Sequence, residues 1–119
     1  MKDRFSVTLP LTGEYLTTVR LTTGGLCSLA GFDVDTAEDF KVCVTESLLI
    51  LKRNGYGSAT IDFTVGETLG CRLCGLELSE AEQDDVEDEI SRALLSALVE
   101  KVEFENNEKG GVSGIRFEN

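Results

Sequence analysis

The chain of 119 residues contains no histidine at all, one proline and one methionine. Without histidine, a zinc site would have to be built from thiolates and carboxylates alone. Four cysteines are present, at 27, 43, 71 and 74. Cys71-Arg72-Leu73-Cys74 has CxxC spacing, but there is no second CxxC to complete a tetrahedral set. The segment around it alternates like a strand, which sends residues three apart to opposite faces. The thiols therefore read as small buried hydrophobes. Long apolar runs are also missing. None approaches the ~20 residues a membrane-spanning helix needs, and the opening MKDRFSVTLP lacks the apolar stretch of a secretory signal. The expectation is a soluble cytoplasmic protein. Bases are scarce, at 11 against 22 acids for a net charge of −11. Phosphate backbones and anionic membranes repel such a field, so nucleic acid and membrane surfaces are excluded as partners, whereas a basic protein would be attracted. Internal repeats and low-complexity linkers are absent, and the length suits one domain spanning 1–119.

What is present is a clear alternation of periodicities. RFSVTLPL places Phe5, Val7 and Leu9 on one face of a strand that Pro10 ends. Thr12 opens a helix with Tyr15, Leu16, Val19, Leu26 and Leu29 along its apolar stripe. Gly24-Gly25 weaken its middle and invite a bend, and Gly31 stops it. Asp35 or Thr36 caps a second helix with Phe40, Cys43, Val44, Leu48 and Leu51 as core candidates, ended by Asn54-Gly55. SATIDFTVG and TLGCRLCGLEL form a hairpin through Gly66-Glu67. Ser79 caps an acidic run with seven acids between Glu80 and Glu89. Val86, Ile90, Leu94, Ala97 and Leu98 give part of it helical spacing. KVEFEN and VSGIRFEN close the chain as a second hairpin through Asn107–Gly111. This order predicts an α/β (α+β) two-layer sandwich, a mainly antiparallel sheet covered on one face by three helices.

The second helix, with the turn after it, is the most pointed segment. DFKVCVTESLLILKRNGYG has an apolar inner face broken by one acid, Glu46, and a carboxylate there is costly unless paired, hydrated or used. It resembles the first signature of the anti-sigma-factor serine kinases (the RsbW and SpoIIAB group) of the GHKL, or Bergerat-fold, ATPases. That signature has a Glu, an Asn four residues on and an aromatic after the helix. Here these are Glu46, Ile50 and Tyr56. The strand ending in LP, the Glu-Tyr-Leu start of the first helix, Arg20 and the ending LVEKVEFENNEKGGVSGIRFEN are also similar to the family.

The resemblance implies a Bergerat-type, histidine-kinase-like ATPase domain, and it implies that the nucleotide boxes are degenerate. In the family the Asn helps to hold magnesium on the phosphates, and Ile50 has no lone pair for a hard cation. The family's Asp-x-Gly-x-Gly box is reduced to Gly75 within CGLELSEAE. Its glycine-rich lid aligns near Glu87, Glu89 and Ser91, and at ~4 Å and an effective dielectric of ~20 each carboxylate–phosphate contact costs about 4 kcal/mol. The remnant pocket is thus Glu46, Ile50, Asn54, Tyr56, Glu87, Glu89 and Ser91, with no cofactor and no metal. Glu46 is its vestigial base, satisfied by Arg53, Lys52 or water, and Tyr56 is packing. Arg20 matches the family arginine that meets the partner protein, or else is a solvated base on the helix face.

The implied function is a regulator acting by protein–protein binding, with a sigma factor, a STAS-type antagonist or a second copy as partner and with kinase activity lost. The alternatives are an active serine kinase using ATP and magnesium, or a small-ligand sensor in the vacated cleft.

Overall fold

A computed structural model describes residues 3–79 and 85–119. Within them the chain order is β1 (Asp3–Pro10), α1 (Gly13–Leu29), α2 (Val34–Arg53), β2 (Tyr56–Val65), β3 (Leu69–Leu78), α3 (Asp85–Leu98), β4 (Lys101–Asn106) and β5 (Val112–Glu118). The fold is α+β. Its five strands form one sheet in the order β1-β2-β3-β5-β4, and every neighbouring pair is antiparallel.

The period-2 alternation decides which face of the sheet is buried. Ala59, Ile61, Phe63 and Val65 on β2, Leu69, Cys71 and Leu73 on β3, and Val112, Ile115 and Phe117 on β5 all turn inward. Helix α2 packs across these three strands, and α1 and α3 pack against α2. Phe40, Cys43, Val44, Leu48 and Leu51 of α2 are buried, as their 3–4 spacing requires. The Phe40 ring sits between Phe32 and Phe117, with centroids 5.9 and 5.1 Å away. The other face of the sheet is polar. There Arg4, Asp62, Arg72, Glu103 and Arg116 line an open concavity of about 470 Å³.

Several local expectations change. Helix α2 is capped by Asp33, not by Asp35 or Thr36; its Oδ1 accepts from the Thr36 N–H at 2.8 Å. The helix therefore begins two residues earlier than a cap at Asp35 would give. Helix α1 runs unbroken through Gly24-Gly25. A Cβ at Gly24 would meet only the flexible end of Lys41, 2.9 Å from Cε, which can move aside. Only part of the α1 stripe is inside: Val19 and Leu26 are buried, whereas Tyr15 and Leu29 are exposed. Thr12 occupies the N-cap position of α1 in extended conformation, without a side-chain cap bond. The residues that Ser79 was expected to cap lie outside the described ones. The Ser79 N–H and Oγ both bond to the Gly55 carbonyl, pinning the end of β3 to the α2–β2 turn. The acidic positions 80–84 lie outside the described residues.

Helix α3 departs most. Val86, Ile90 and Leu94, the leading members of its apolar series, are 67%, 57% and 37% exposed. The face turned to the protein instead carries Asp88, Ser91 and Leu95, and Ser91 is buried. The physical reason lies in α2, whose polar end offers this face charged partners.

Candidate functional site

That polar end is where Glu46, Ile50 and Asn54 stand one helical turn apart, followed by Tyr56 at the start of β2. Glu46 is half-buried, and its Oε2 accepts a 2.7 Å hydrogen bond from Ser91 Oγ of α3. The same Ser91 oxygen accepts from Arg53 Nη2 at 2.7 Å. Arg53 Nε in turn donates to Asp88 Oδ1 at 2.7 Å. The guanidinium is 16% exposed and the Asp88 carboxylate 19%, so water screens this pair weakly. Asn54 Nδ2 donates to Asp88 Oδ2 at 3.1 Å and to the Ile50 carbonyl at 2.7 Å. Asn54 Oδ1 accepts from the Val112 N–H at 3.1 Å, which ties β5 to the C-cap of α2. One continuous chain of bonds therefore runs Glu46–Ser91–Arg53–Asp88–Asn54 between α2 and α3.

Ile50 lies apart from this chain. It is fully buried in the core beside Leu51 and Leu48 and does not line an open cleft. Tyr56 is buried, and its hydroxyl accepts from Asn107 Nδ2 at 3.0 Å. Asn107 Oδ1 accepts in turn from the backbone of Lys109 and Gly111, shaping the β4–β5 turn. The Tyr56 ring covers Gly75 of β3, where a Cβ would fall 2.4 Å from Cγ of the ring. Gly75 is thus required by the tyrosine over it.

The acids aligned with the lid divide. Glu87 and Glu89 are exposed, and the Glu87 carboxylate lies 3.8 Å from Arg53 Nη1. The carboxylate that faces inward is Asp88, between them. Asp88 and the bridging role of Arg53 are the participants that sequence reading misses. The available signal was spacing, since Asp88, Ser91 and Leu95 repeat at the 3–4 interval of a helix face. Arg20 is exposed on α1, apart from these groups. Its charge reaches Glu38 of α2, whose carboxyl is held below the usual range chiefly by a hydrogen bond from Lys41.

The site's chemistry follows from this inventory. Magnesium asks for several hard oxygen ligands. Here Glu46 is already bonded to Ser91, Ile50 offers a methyl-bearing chain, and both Asn54 amide N–H groups and its oxygen have protein partners. Among the described residues, these donors do not fit a metal–nucleotide group. Cys27, Cys43 and Cys71 are equally unsuited to chemistry. Burial pushes Cys27 up to about 11, Cys43 to about 12 and Cys71 well above the ordinary thiol value. Among the described residues no cluster of cysteines and carboxylates has the geometry of a metal site, and no helix is long and apolar enough to cross a membrane.

No known protein-family profile matches the chain. Over 72 residues, 56% of its length, it is 29% identical to the serine-protein kinase RsbW of Listeria monocytogenes serotype 4a. It matches the serine-protein kinase RsbW of Listeria innocua serovar 6a at the same 29% over 72 residues. The match covers 46% of each relative, so the chain spans about half the length of the curated relatives it matches. Over that part of its length, the chain is similar to the RsbW serine-protein kinases.

Proposed function

We propose that this chain is a Bergerat-type domain of the anti-sigma kinase kind that has given up nucleotide binding and phosphoryl transfer and works by binding another protein. The supporting observation is the filled junction between α2 and α3. The residue that would serve as base, Glu46, accepts from Ser91, which is held in turn by Arg53. A carboxylate engaged this way is already committed to a partner inside the protein and is poorly placed to take a proton from a substrate hydroxyl. Ile50 in the core and Tyr56 over Gly75 are consistent with the same loss. The partner classes that fit are a sigma factor or a STAS-type antagonist, approached through the exposed α1 surface around Arg20, with self-association as a homodimer a further possibility. A cytoplasmic setting agrees with this role.

Calorimetric titration with Mg-ATP tests the reading. The expected result is no saturable heat at concentrations that would reveal a Kd of ~100 μM, about −5.5 kcal/mol. Saturable binding tighter than that refutes the loss of the pocket and restores the active serine kinase. A small-ligand sensor in the vacated cleft gains no support from Ile50, which is enclosed by the core.

A further inference from the structure

Helix α3 carries apolar side chains on its outer face as well as at Leu95, which is buried against the protein. Its charged and hydroxyl-bearing side chains Asp88 and Ser91 face the protein, and Val86, Ile90 and Leu94 face away, with Ala93 and Ala97 exposed on the same side. At about 100° per residue these five positions fall within a band roughly 100° wide, and from Val86 to Ala97 it is about 17 Å long. At its N-terminal end the band has one acid on each side, Glu89 and Glu87, the latter with its carboxylate 3.8 Å from Arg53 Nη1. Glu87 lies about 100° round from Val86 one way and Glu89 about 60° the other, and both are exposed. The one base of this helix, Arg92, is turned away over the Phe104 ring, 4.8 Å from its centroid.

We infer that the outer face of α3 is a docking stripe for a basic amphipathic helix of a partner protein. Such a helix sets its own apolar band on Val86, Ile90 and Leu94 and places lysines or arginines beside Glu87 and Glu89. Charge decides the occupant. A second copy of this chain, with net charge −11, would set the same glutamates against one another, whereas a cationic helix meets opposite charge on each side of that end. The inference rests on the reading that the protein acts by protein binding. The nucleotide titration tests the pocket alone, so either result can stand without the other.

The test is fluorescence anisotropy with a labelled peptide of about 14 residues, leucines on one face and lysines on the other, against a leucine–glutamate peptide of the same pattern. The wild-type protein should bind the lysine peptide, more weakly as salt rises, and ignore the glutamate peptide. Ile90→Asp should weaken binding about tenfold although it adds a negative charge. Equal or tighter binding by Ile90→Asp means nonspecific attraction and overturns the proposal, as does absence of binding to the wild type. A dimer seen by sedimentation and dispersed by Ile90→Asp overturns it in favour of self-association. Val86→Asp provides a second variant; if both unfold the protein, the stripe belongs to the interior and the proposal fails.

Discussion

Ser91 is one hydroxyl shared by two charged groups, and its removal exposes how much the α2–α3 junction depends on it. Ser91→Ala leaves the half-buried Glu46 and one arm of Arg53 without their partner at a site that is 2% exposed. An unmade bond to a charged group of this kind costs about 1–3 kcal/mol, which urea denaturation should resolve as a lower midpoint. Gly75→Ala tests the tyrosine contact. The added methyl meets the Tyr56 ring, and overpacking of that sort costs about 1–3 kcal/mol, a penalty that Tyr56→Ala in the same chain should largely relieve. Sequence alone identifies Glu46, Ile50 and Tyr56 as the residues to watch. It cannot show that Glu46 is satisfied through a serine 45 positions away, because that pairing depends on how α3 is rolled about its axis.

Among the elements, α2 follows most directly from its pattern and α3 least. The apolar side chains of α2 fall on one face, Asp33 stops it at one end and Gly55, with φ of 96°, at the other. The Asp33 carboxyl is held below its ordinary value by the Thr36 backbone N–H, so its contribution to stability is present at neutral pH and fades as the pH falls through the depressed folded value. Asp33→Ala should therefore melt earlier than wild type at neutral pH, and the gap should close in acid. Asp33→Asn, which keeps the acceptor but does not titrate, should retain most of the cap at both ends of the range. Helix α3 was legible as a helix from the spacing of Val86, Ile90 and Leu94, but its buried side was not. The usual rule puts apolar residues inside, and here Arg53 and Asn54 at the end of α2 reward a polar face instead.

For the whole molecule, the order of elements and both hairpins could be read from alternation and turn residues, and the structure has them. Strand order could not, since nothing local tells β5 to enter between β3 and β4. The thiols report on the integrity of the assembled core. Three are buried with raised pKa values, and Cys74 alone is half-exposed, on the open face of the sheet. An aromatic disulfide reagent at mildly alkaline pH should label Cys74 in the native protein and all four cysteines after denaturation. Rapid native labelling of the other three would mean that α2 lifts from the sheet.

The position of β5 has a consequence for how the molecule is made. The stretch from Val112 to Glu118 leaves the ribosome after β1–β4 and all three described helices, yet it fills the gap between β3 and β4 and supplies the Phe117 ring against Phe40. Until it arrives, β3 has an open edge and the hydrophobic layer beneath α2 lacks its closing strand. Growing chains are therefore at their stickiest while β5 is still unmade, when a nascent-chain chaperone has the most to cover.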